Sequence, residues 1–159
     1  GRIYSIVYQG TITNAGGDVD LLELLPADDK PVKLRGLLLS QTSEVGDAAE
    51  EGLRITIKRL QTPTSGSGGS AVTPRAMDSA DAAAGVAAEC ANTTVATDAG
   101  TTQTLAELAW NIRQSPYEMW FPEERFCPKA KQGEALIVCQ ETTAADDYSG
   151  CFTFWLEEE

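Results

Sequence analysis

Apolar and polar residues alternate strictly through Leu53-Arg54-Ile55-Thr56-Ile57-Lys58, the period of a strand with one buried and one wet face. The same period runs through residues 104–112, where Ala106, Leu108, Trp110 and Ile112 share a side. Leu, Ala and Glu are good helix formers, so a helix competes at this point. The threonine run before the segment and the Ser115-Pro116 stop after it favour a strand. Further strands are expected at 2–12, 19–25, 32–40, 84–90, 134–141 and 151–157. The first sets Tyr4, Ile6 and Tyr8 on one face. The last sets Phe152, Phe154 and Leu156 on one face and Thr153 and Trp155 on the other. Leu37-Leu38-Leu39 is a continuous apolar run, as expected where both faces are covered.

Turn chemistry separates these pieces. Asn14-Ala15-Gly16-Gly17-Asp18 reads as a tight reversal, and Pro26 to Pro31 as a turn bracketed by prolines. Residues 144–150, Ala-Ala-Asp-Asp-Tyr-Ser-Gly, read as the turn of a final hairpin. About eight short strands with such punctuation predict an all-β, jelly-roll-like antiparallel β-sandwich with long loops, one domain over 1–159. Residues 42–52 break the pattern and suit one helical turn. Residues 61–74 form a Gly/Ser/Thr/Pro loop around Ser65, Gly66, Ser67, Gly68 and Gly69. That composition buries little apolar surface, so the loop is expected to be flexible and to serve as an arm reaching a neighbour.

Charge narrows the partners. With 24 acidic against 12 basic residues the net charge is −12, which repels phosphate backbones and anionic lipid. Nucleic acid and membrane surfaces are therefore not expected as partners, and no apolar run reaches the roughly 20 residues of a spanning helix. The opening Arg2-Ile3-Tyr4-Ser5-Ile6 has the pattern of a strand rather than of a secretory leader. Glu157 to Glu159 read as a solvated acidic tail.

Chemistry is sparse. The chain has no histidine, which removes the commonest general acid/base and the usual partner of serine and cysteine nucleophiles. Its five lysines fall in turns or on polar strand faces and read as solvated charge. The adjacent acid pairs Asp28/Asp29, Glu50/Glu51, Glu123/Glu124 and Asp146/Asp147 point to opposite sides of an extended chain and do not converge by themselves. No calcium loop and no phosphate-binding loop is present, so no catalytic, cofactor or metal residue is expected and the chain is not read as an enzyme. Asn92-Thr93-Thr94 matches a glycosylation acceptor, a weak signal on its own.

Four cysteines remain, at 90, 127, 139 and 151, with no CxxC pair. If the last two strands form a hairpin centred near residue 145, Cys139 falls opposite Cys151 and the two are a candidate disulfide. The other reading is free thiols packing as small hydrophobes. The densest aromatic group is Tyr117-Glu118-Met119-Trp120-Phe121-Pro122. Tyr117, Met119, Trp120 and Phe121 suit core packing, a subunit interface or a sugar-stacking platform.

Several stretches carry a resemblance. They are Pro26-Ala27-Asp28-Asp29-Lys30-Pro31-Val32, Gly36-Leu37-Leu38-Leu39-Ser40-Gln41, Gly46-Asp47-Ala48-Ala49-Glu50-Glu51, the Ser65–Ser70 loop with Thr73-Pro74-Arg75, and Ser79-Ala80-Asp81-Ala82-Ala83-Ala84-Gly85. In this order the chain resembles a family of small, mostly uncharacterised tailed-phage and prophage proteins, over roughly residues 2–157. The resemblance implies a structural virion protein assembled in the bacterial cytoplasm: a capsid decoration (cement) or jelly-roll shell subunit. It implies as partners copies of itself, in a homo-oligomer such as a trimer, and the major capsid or another virion protein. The alternative is a receptor- or carbohydrate-binding module of a tail or fibre.

Overall fold

The computed structural model describes residues 1–13, 17–43, 52–114, 116–141 and 147–159. Its strands are β1 (Arg2–Ile12), β2 (Val19–Leu25), β3 (Val32–Gln41), β4 (Gly52–Gln61), β5 (Pro63–Thr64), β6 (Ser70–Val72) and β7 (Arg75–Ala76). They continue as β8 (Ala87–Cys90), β9 (Thr97–Asp98), β10 (Gln103–Asn111), β11 (Tyr117–Trp120), β12 (Lys129–Ala130), β13 (Glu134–Gln140) and β14 (Tyr148–Glu158).

Eight of these build the frame by nested antiparallel pairing. β1 pairs with β14, β2 with β13, β3 with β11 and β4 with β10. Folding that four-pair ribbon over places β14 beside β3 and β13 beside β4. The result is a jelly roll of two packed sheets, which confirms the expected all-β sandwich. Sheet A runs β11-β3-β14-β1-β7, with β12 also on β3; sheet B runs β10-β4-β13-β2-β8-β6.

The core is what the alternation predicted. Tyr4 and Ile6 from β1, Leu37 and Leu39 from β3, Ile55 and Ile57 from β4, and Phe152, Phe154 and Leu156 from β14 are fully buried between the sheets. Trp110 stands edge-on to Tyr148 and Phe152, tying β10 to the facing sheet. Its indole N–H has no hydrogen-bond partner among the described residues.

The two outer faces differ, and this governs the rest. Along β14 burial alternates from Tyr148 to Glu158, so one side of sheet A is open. Along β13, Ala135 to Gln140 are buried without a break. Sheet B is covered on both sides around β13 and β2, because Leu60, Ala135, Ile137 and Cys139 form a second apolar cluster with Leu25, Val95 and Ala96 under the loops.

Several expectations are corrected. β13 and β14 do not form a hairpin: they lie in different sheets, because the long-range pairings β2·β13 and β1·β14 win over chain proximity. Leu38 is half-buried on the outer face of sheet A, so the triple-leucine run is not covered on both sides. The helical turn at 42–52 and the reversal at 14–18 fall largely outside the described residues, as do 144–146 of the turn expected at 144–150, whose last three residues, Tyr148 to Gly150, already belong to β14.

Candidate interaction surface

The Ser65–Gly69 segment is ordered against sheet B rather than flexible. Glu23, buried on β2, accepts hydrogen bonds from Ser65 Oγ at 2.5 Å and from the Gly66 amide at 2.9 Å. Ser67 pairs through its backbone with Thr94 in both directions, and Gly68 turns the chain at φ 91°. The Gly69 amide donates to Asn92 Oδ1 at 3.1 Å. A side chain at Gly69 would strike the carbonyls of Cys90 and Ala91. Asn92 is itself wholly buried, which closes it to glycosylation. Backbone donors meeting buried acceptors order this loop where apolar burial cannot.

A similar device holds the segment that leads into β8. The Glu158 carboxylate, buried near the end of β14, accepts from the amides of Gly85 and Val86 at 2.9–3.1 Å. The terminal acids are therefore not a solvated tail. Lys33, whose side chain is 4% exposed, pairs with Glu124 and Glu159, the latter at 2.6 Å. Hydrogen bonds that it donates to these carboxylates hold its ammonium well above the ordinary lysine value. Beside it lies an open depression of about 560 Å³ lined by Lys33, Glu123, Glu124, Arg125, Cys127 and Lys129. Its charges are mutually paired, with Arg125 on Glu123 at 2.9 Å and Lys129 on Glu159 at 3.2 Å.

The four cysteines are free thiols, so the candidate disulfide between Cys139 and Cys151 is not formed. Cys139 sits on β13 in sheet B and Cys151 on β14 in sheet A. Burial pushes the thiols of Cys90, Cys127 and Cys139 up. They behave as small hydrophobes rather than nucleophiles.

Carboxylates converge in one place that no local spacing announced. Donor atoms of Asp18, Cys139 and Glu141 lie within 4.8 Å of one another. Burial and the neighbouring Glu141 raise the Asp18 carboxyl. Burial also pushes Glu141 up, but hydrogen bonds from Thr56 and Lys58 outweigh it and lower the value. Lys58 Nζ stands 3.1 Å from Glu141 Oε1, and an ammonium so placed already supplies the positive charge that a metal ion would bring. Asp20, directly opposite Cys139 in the β2–β13 register, accepts from the Ala96 amide at 2.8 Å. Burial pushes it up to about 6.

The open face is that of sheet A, and it divides the aromatic group. Tyr117, Met119 and Phe121 pack against the core, while Trp120 turns outward and is 51% exposed. Trp120 stacks on Trp155 with ring centroids 4.6 Å apart and planes 27° apart. The register explains the meeting: Gly36 on β3 lies directly between them, paired with Trp120 on one side and Trp155 on the other. A Cβ at Gly36 would lie 2.5 Å from Trp120 Cε3, so glycine makes the room that the indole fills. The next row across the face is Glu118, Leu38, Thr153 and Val7, with Val7 67% exposed. An indole pair and two aliphatic side chains thus share one flat, wet surface, bounded by Arg35 on Glu157 at 3.3 Å. Comparison with protein-family models, with curated proteins and with solved structures finds no match to this chain.

Proposed function

We propose that this chain is a structural subunit that works by binding neighbours rather than by transforming a substrate. In the setting implied by its resemblance to tailed-phage proteins, it is a capsid decoration or jelly-roll shell subunit of a virion. One observation carries the reading: the outer side of sheet B is covered around β13 and β2 by a second apolar layer, whereas sheet A presents exposed Trp120 and Val7 with half-buried Trp155 and Leu38 between them. Aromatic side chains on an otherwise wet sheet face are the residues enriched at interface centres. The anchored loops and paired terminal acids keep the rest of the surface fixed, so this face docks as a preformed plane.

The test is made on particles. Mass spectrometry of purified virions is expected to find the chain, and Trp120→Ala is expected to fold normally yet drop out of the particles. Absence of the wild-type chain from particles would end the virion reading.

The Trp120–Trp155 pair also favours a second reading, a carbohydrate-binding face, because sugar rings stack on indoles. Tyr117 and Phe121 do not contribute to such a platform, since both pack inward. A glycan array separates the two readings: a saturable hit lost in Trp120→Ala supports the sugar site, and a blank array leaves the assembly face.

A further inference from the structure

Among the described residues, three of the four outermost strands of the two main sheets are short. Sheet A ends at β11, four residues, and at β7, two residues; sheet B ends on one side at β6, three residues. The fourth edge is β10, nine residues from Gln103 to Asn111. One side of β10 pairs with β4, and among the described residues no strand pairs with its other side. Long edges are normally blunted by charge, proline or a covering segment. β10 has no proline and a single charged residue, Glu107, and the irregularity at Leu105 leaves Ala106 to Asn111 in regular register. Leu108, on the inward-facing row, remains only partly buried at the mouth of the sandwich.

We propose that this edge pairs antiparallel with β10 of a second copy, joining the two B sheets about a two-fold axis. The side-chain pattern selects the register. Residues directly opposite across antiparallel strands share a face, so the two-fold passes through a residue position. Centring it on Glu107 would set two carboxylates against each other. Centring it on Leu108 puts Leu108 against Leu108 of the copy and Ala106 against Trp110, small beside large. It also puts Glu107 against Ala109.

The last pairing carries charge complementarity. Within one chain Arg54 lies opposite Ala109 on β4 and is ion-paired with Glu107. In the paired edge the row reads Thr56, Glu107, then Ala109 and Arg54 of the copy. The small Ala109 lets each Glu107 reach both guanidinium groups, so two ion pairs become a four-charge cluster. Self-association is expected from the assembly reading above, and the proposal rests on that reading only to this extent; it uses a different surface from Trp120.

Sedimentation of the full chain over a concentration series tests it. The wild type is expected to show a concentration-dependent dimer, with amides of residues 106–110 better protected from hydrogen exchange as concentration rises. Ala109→Glu, at an exposed position, sets an acid directly opposite each Glu107, two repulsive pairs per dimer, and is expected to weaken the dimer about tenfold or more. Adding Glu107→Lys to that variant is expected to restore it, and Trp120→Ala is expected to leave it intact. A monomer at every concentration overturns the proposal, as does a dimer indifferent to Ala109→Glu or lost in Trp120→Ala. A monomer that still enters particles defeats this contact alone, whereas a dimer missing from particles defeats the virion reading alone.

Discussion

Glu23 on β2 and Gly66 in the glycine-rich segment, 43 residues apart, are joined by a 2.9 Å hydrogen bond from amide to carboxylate. The same carboxylate takes the Ser65 hydroxyl. A strand acid that would ordinarily be expelled from a covered sheet is retained because it satisfies the loop's donors, and the loop in turn lies flat enough to help seal sheet B.

Glu23→Ala is therefore expected to free the loop. An unpaired buried amide costs about 1–3 kcal/mol, which for a chain of this length lowers the unfolding midpoint by roughly 5 °C. Calorimetry measures the midpoint, and hydrogen exchange should show residues 65–69 opening more than β3. Unchanged exchange in that segment would mean that Asn92 and the Ser67–Thr94 pairing hold it without Glu23.

The thiols give a covalent check on the sheet assignment. Intact mass under native conditions is expected to show no internal crosslink, and reductant is expected to leave the unfolding midpoint where it was. A thiol reagent should modify half-exposed Cys151 first and reach Cys90 and Cys139 only on unfolding. Burial pushes the Cys90 thiol up to about 12, which slows its reaction further. A peptide linking Cys139 to Cys151 would contradict their separation between sheets.

Where burial alternates, the fold was legible. The faces of β1 and β14 follow from Tyr4, Ile6, Phe152 and Phe154, and the strand over 104–112 follows from Leu108 and Trp110. What periodicity does not carry is partnership. Cys139 and Cys151 sit close in sequence and apart in space, because the nested pairing sends consecutive strands to opposite sheets. Lys33 meets Glu124 from 91 residues away, so nothing local marks it as other than a surface lysine. The aromatic density of Tyr117-Glu118-Met119-Trp120 masks the strand β11. Its alternation, with Tyr117 and Met119 inward and Glu118 and Trp120 outward, was the available signal.

Gly36 should control the indole pair without belonging to it. Gly36→Ala puts a methyl group where Trp120 lies and is expected to push the ring off Trp155. Stacked indoles give an exciton couplet in the circular dichroism spectrum, which should vanish in both Gly36→Ala and Trp120→Ala. Because Trp120 is half exposed, its removal is expected to cost only about 1 kcal/mol of stability, roughly the value of one aromatic pair. A couplet that survives in Gly36→Ala would show that the strand bends to accommodate the methyl group.

Asp20 should leave a signature in the pH dependence of stability. Burial raises its folded value from 3.8 to about 6. Between those values the folded chain keeps a proton that the unfolded chain has lost, so unfolding releases a proton and rising pH favours it. The contribution is whole below about pH 4 and is lost as pH climbs through about 6. At about 1.4 kcal/mol per unit the two limits differ by about 3 kcal/mol. Other groups pull the opposite way: hydrogen bonds from Lys33 lower the carboxyls of Glu124 and Glu159, whose stabilisation is lost as pH falls. The Asp20 effect is therefore read as a difference between two chains. Asp20→Asn keeps an oxygen to accept from the Ala96 amide and stays neutral throughout, imitating the protonated acid. Urea unfolding of both proteins at pH 4 and pH 7 should find the variant gaining on the wild type by about 2 kcal/mol at the higher pH, most of the full difference. A constant difference across that range would mean that Asp20 ionises as an ordinary surface acid and that the loop at Ala96 does not seal it.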